Sequence, residues 1–145
     1  MNQTGNALID ARGPRFGAAI TTVVLALVLV TLPSAFSFVL LALQAVVFAI
    51  GAAAGLRYAP YGIAFSALVR PRLGPPAVME EEAPPRFAQS VGFVFAAVGL
   101  IGLALGWTVL AYAAVAMALV AAFLNAAFKF CLGCEMYLLM RRVAA

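Results

Sequence analysis

RFGAAITTVVLALVLVTLPSAFSFVLLALQAVVFAIGAAAGLR, residues 15–57, decides the fold. Its terminal residues, Arg15 and Arg57, enclose 41 residues without a single Asp, Glu, Lys or Arg. A membrane-spanning helix needs roughly 20 mostly apolar residues. The stretch therefore has room for two spans and a tight turn. Leu32-Pro33-Ser34 falls near its middle, and proline is poorly tolerated inside a helix. The stretch reads as a helical hairpin with spans over about 16–32 and 36–56.

A second run of the same kind lies between Arg86 and Lys129, 42 residues without a charge. Gly106-Trp107-Thr108 breaks it, and Trp107 suits the lipid headgroup level. The spans here are about 87–106 and 109–128. The whole chain of 145 residues is 66% hydrophobic and 10% charged, against about 25% charged in soluble domains. So apolar a chain cannot hide its side chains in one small water-soluble core. The expected fold is an all-α membrane protein, a single integral membrane domain over 1–145 with the lipid bilayer as its solvent. The apolar stretch before Pro33 exceeds an ordinary signal-peptide core and a second span follows at once, so this segment is expected to be retained.

Four spans place both termini on one side of the membrane. All nine Lys and Arg then fall on that side, and neither opposite turn carries a charge. By the positive-inside rule both termini are cytoplasmic. The net charge of +4 reports this orientation, and no nucleic-acid partner is expected. The absence of histidine removes the commonest general base and transition-metal ligand. No span carries an ionisable residue, which argues against a proton-coupled pump.

Pro14-Arg15-Phe16 recurs as Pro85-Arg86-Phe87, at an offset of 71. At an offset of 72, Arg57-Tyr58 meets Lys129-Phe130, Phe65 meets Tyr137 and Arg70 meets Arg142. The chain reads as two parallel pseudo-repeated hairpins, about 14–70 and 85–142, each ending in an interfacial amphipathic segment. A cytoplasmic linker, about 71–84, joins them. Tyr61 to Val69 is expected to lie flat on the membrane. Glu80-Glu81-Glu82 reads as a solvated stretch, since three consecutive carboxylates cannot all face one site. Gln44 and Asn125 are the amides expected to join helices. The small residues Gly51, Gly99, Gly102 and Gly106 fit close helix packing.

The two cysteines form one C-x-x-C, Cys131-Leu132-Gly133-Cys134, where the second uncharged run ends. That spacing lets two thiols on one helical turn form a disulfide, with Leu132-Gly133 read as flexible. If a helix restarts at Cys131, its N-terminus and Lys129 both favour thiolate there, while Glu135 opposes it at Cys134. Cys131 is then the attacking thiol, Cys134 the resolving thiol and Lys129 an electrostatic helper. In the cytosol a lasting structural disulfide is not expected. A metal site on Cys131 and Cys134 is the alternative, but zinc wants four ligands, so two copies of the chain or a soft ion would be needed. Inert packing of both cysteines is the third reading. No cofactor is expected. A structural or assembly subunit of a membrane complex, or a small carrier of sulfur species or a soft metal, stands beside the thiol redox or sulfur-relay reading. Under the 72 offset Cys131 meets Ala59 and Cys134 meets Gly62, so only the second half carries thiols.

Ile9-Asp10, Arg12-Gly13-Pro14-Arg15-Phe16, Leu43-Gln44-Ala45, Pro60-Tyr61-Gly62, Pro71-Arg72-Leu73 and Phe130-Cys131-Leu132-Gly133-Cys134-Glu135-Met136-Tyr137 stand in that order. Together they resemble the small integral membrane proteins grouped as domain of unknown function 4395, common in actinobacteria. The resemblance covers nearly the whole chain, and F-C-L-G-C-x-x-Y is its most specific part. It implies a multi-pass protein of the bacterial inner membrane, a partner of the thioredoxin-like or sulfurtransferase kind, and no assigned activity. A homo-oligomer is compatible with it.

Overall fold

The computed structural model describes residues 7–76 and 78–145. Four helices in it are long and apolar enough to cross a membrane: α1 (Arg12–Thr31), α2 (Ala35–Ala53), α5 (Ala83–Ala104) and α6 (Thr108–Phe128). They are the four expected spans. All four begin one to four residues before the expected start, at Arg12, Ala35, Ala83 and Thr108. Ser34 starts α2 with a capping box: its hydroxyl accepts the Ser37 N–H at 3.0 Å, and Ser37 Oγ accepts the Ser34 N–H at 3.0 Å. Prolines in the first turn of α5 cost nothing, because those N–H groups have no helical partner. Gly106 turns the chain between α5 and α6 with φ +76, and open space surrounds it. Its role is conformational, whereas Gly99 and Gly102 do let neighbours close in as expected.

The bundle core is Leu25 and Val28 of α1, Leu41, Ala45 and Phe48 of α2, Ala96 of α5, and Val115 and Ala118 of α6. Outward-facing apolar residues are left bare, Val30 at 76% and Val109 at 84% exposure. In water so much exposed apolar surface would be prohibitive; in lipid it is the ordinary exterior. α2 packs along α5, and α1 along α6.

All fourteen charged residues gather at one end of the bundle, where the remaining elements lie. β1 (Leu8–Asp10) pairs antiparallel with β2 (Met79–Glu81), with Leu8 opposite Glu81 and Asp10 opposite Met79. The Glu80 region is thus not a free solvated stretch. Glu82, 6% exposed, accepts the Leu56 N–H at 3.0 Å and so holds the turn after α2. Strands of three residues, Leu-Ile-Asp and Met-Glu-Glu, are too short to show a period-2 pattern from which to expect this pairing.

The expected flat segment is a continuous helical run in three parts. α3 (Pro60–Ala64) and α4 (Arg70–Leu73) flank a π turn, Phe65–Val69. Pro71 has no N–H, and its ring would crowd the Ala67 carbonyl in a regular α turn; the wider turn gives it room. α7 (Leu132–Ala144) closes the chain as a second amphipathic helix.

Two pairs of contacts recur at offsets near 72: the ring pairs at 71 and 72, and the arginines at 71 with their acceptor carbonyls at 73 or 74. Arg15 donates to Ala126 O at 3.1 Å, at the end of α6. Arg86 donates to Ala52 O at 2.9 Å and Ala53 O at 2.8 Å, at the end of α2. Each arginine serves carbonyls that have no partner within their helix. Phe16 meets Phe65 with centroids 5.7 Å apart and planes at 46°, and Phe87 meets Tyr137 at 5.8 Å and 46°.

Candidate functional site

The thiol segment is built by a sharp reversal. α6 ends at Phe128, and Lys129 takes the left-handed conformation, φ 57 and ψ 23, which turns the chain back. The Phe130 N–H donates to Leu124 O at 3.2 Å within this turn. Cys131 is then the N-cap of α7, with its own backbone extended at φ −91 and ψ 103. Its Sγ accepts the Cys134 N–H at 3.2 Å, and its carbonyl accepts the Glu135 N–H at 3.0 Å. The helix restart at Cys131 is therefore as expected. Cys131 and Cys134 are joined by a disulfide, with Cα atoms 5.1 Å apart.

Gly133 has a different job from the flexibility its composition implied. It is buried against α5, where a Cβ in its place would lie 2.6 Å from both Cα and Cβ of Ala88. No real side chain tolerates that distance, so the glycine lets α7 seat on α5. Tyr137, one turn on, packs its ring at a tilt against Phe87 and helps hold the same seat. Lys129 is exposed, and its observed role is the backbone reversal; no contact joins its amine to either sulfur among the described residues. Glu135 stands in the first turn of α7, where a negative charge stabilises the helix. Among the described residues no group of three or more His, Cys, Asp or Glu side chains could hold a metal ion.

Behind the disulfide lies a cavity of about 300 Å³. Cys131, Leu132, Gly133 and Met136 form its outer wall, and it runs inward between α1, α5 and α6 as far as Phe48 and Met117. Its polar groups are Gln89, Asn125 and Thr21. Asn125 lines this space, and no hydrogen bond ties it to another helix among the described residues.

Gln44 does join elements. Its Oε1 accepts the Tyr61 hydroxyl at 2.6 Å, and its Nε2 donates to Thr21 Oγ1 at 3.4 Å, with Gln44 only 1% exposed. This chain borders a second cavity, about 330 Å³, between α1 and the α3 segment. Burial pushes the Tyr61 phenol above its ordinary pKa. At the rim the Asp10 carboxylate pairs with Arg12 at 2.7 Å, and Arg70 stands 3.9 Å away. The Arg12 hydrogen bond holds the Asp10 carboxyl below the usual range, whereas burial and then nearby Asp10 push Glu80 up. The only sequence signal for these partners was the rarity of a polar residue at mid-span, which singles out Gln44 but not Tyr61 or Glu82.

The family model described as "Domain of unknown function (DUF4395)" matches residues 9–142. The chain belongs to that family. No curated protein and no solved structure matches it.

Proposed function

We propose that this family member is a membrane-embedded thiol redox protein that works through Cys131 and Cys134 on the cytoplasmic face. One observation carries the reading: Cys131 caps a helix N-terminus, its sulfur accepts the Cys134 N–H, and the two sulfurs are within bonding reach. A helix N-terminus stabilises thiolate at the capping sulfur. Cys131 is thus the sulfur that attacks or is attacked, and Cys134 resolves. The protein partner is a soluble thioredoxin-like dithiol; a sulfurtransferase handing over persulfide is the related alternative.

The frame is a duplicated hairpin. The matched arginine contacts and ring pairs, at offsets of 71 to 74, support it. Only the second copy has thiols, so the cysteines serve chemistry and the frame stands without them. The clustering of every charge at one end, with a positive excess, supports a cytoplasmic location for that end.

The test is a trap. Cys134→Ser leaves Cys131 without its resolving thiol. Incubated with a thioredoxin-like protein that keeps only its attacking cysteine, activated as a mixed disulfide with thionitrobenzoate, that variant displaces thionitrobenzoate and accumulates a mixed disulfide through Cys131, and Cys131→Ser does not. Equal trapping by both variants, or by neither, contradicts the assignment.

A further inference from the structure

The cavity behind the disulfide has the chemistry of a site for a lipid-soluble electron acceptor. Cys131 forms part of its wall, so the disulfide segment borders the interior of the bundle. Phe48, Phe95 and Met117 supply flat or polarisable apolar surface. Gln89 and Asn125 add neutral amides, and among the described residues no hydrogen bond engages either side chain. Both amides line the cavity, and a ligand with carbonyl oxygens can accept their N–H groups. The volume, about 300 Å³, is at the lower end of ligand pockets. No charged side chain lines it, which excludes phosphates and carboxylates as its ligand.

We infer that this cavity binds the head group of a membrane quinone, and that the quinone takes the electrons of the reduced cysteine pair. The inference rests on the thiol reading above. The Cys131 thiolate adds to a ring carbon of the quinone. Cys134 then attacks the Cys131 sulfur, the S–S bond forms, the C–S bond breaks, and its electron pair leaves on the ring. The two thiol protons end on the two quinol oxygens. A soluble dithiol partner reduces the disulfide for the next cycle and is itself oxidised, so two electrons and two protons pass from partner to quinone.

The probe is decylubiquinone, whose ring is fully substituted and resists permanent adducts. The full-length protein, reduced and set in lipid nanodiscs, is mixed with it while quinone absorbance and free thiols are followed. One quinone is reduced per pair of thiols lost, and the Cys131→Ser/Cys134→Ser variant reduces none. Ala121→Phe, which fills the cavity from its α6 wall, slows quinone reduction at least tenfold. Its exchange with glutathione disulfide stays within twofold. Asn125→Leu, a gentler change, raises the KM for quinone at least fivefold. Quinone reduction absent, or unaltered in both cavity variants, with glutathione exchange intact overturns the quinone site and leaves the thiol function standing. Loss of glutathione exchange in the unmodified protein overturns both.

Discussion

Gly133 is the residue on which the thiol segment turns. Gly133→Ala drives a methyl group into Ala88, and overpacking of this kind costs about 1–3 kcal/mol. The expected readout is a lower unfolding midpoint in detergent, together with slower thiol exchange as the Cys131 cap loosens. Lys129 separates two roles. Left-handed backbone costs a non-glycine residue about 1–2 kcal/mol, so Lys129→Gly should raise stability by about that amount. A stable variant with thiol exchange unchanged within twofold makes Lys129 a turn residue; a loss of rate restores it as the electrostatic helper the sequence pointed to. Asp10 gives the pH dependence. Its carboxyl is depressed in the folded protein, so the stability from its Arg12 pair is present above the ordinary carboxylate range and is lost as pH falls through the depressed value. Glu80 acts in the opposite sense, because its protonation relieves a burial cost. Protection of the Leu8–Asp10 amides, taken relative to their intrinsic exchange rate at each pH, should therefore fall at low pH, and Asp10→Asn should show the low protection at every pH.

At the scale of elements, the helices were legible and the joints between them were not. Charge-free runs, a central Pro33 and Gly106 are enough to set four spans, because lipid penalises every buried charge and every unpaired backbone group. The β1–β2 pairing was invisible, since three-residue strands have no period to detect. The helix restart at Cys131 was legible from the break after Lys129. The seat of α7 on α5 was not, because a glycine reads the same in sequence whether it bends or packs. Gln44 could be singled out as a helix-joining amide, but its partner Tyr61 lies in a different element 17 residues on. Gln44→Leu removes hydrogen bonds worth roughly 1 kcal/mol in total and frees the α3 segment. Faster proteolysis within residues 60–73, with the bundle still folded, is the expected result.

At the scale of the molecule, a bundle with a lipid-facing exterior meets one end that carries every charged side chain and both cysteines. An uneven distribution of this kind fixes orientation, and orientation decides whether the pair meets cytoplasmic thiols. The central claim is that Cys131 and Cys134 cycle between dithiol and disulfide in the cell. The measurement is their oxidation state in place. Intact cells are quenched in acid, and the protein is alkylated with a mass-tagged maleimide, with and without prior reduction. A fraction of the protein should be protected until reduced, should grow on brief diamide treatment and should disappear when either cysteine is replaced by serine. Complete labelling of both thiols without reduction, unchanged by diamide, would contradict it.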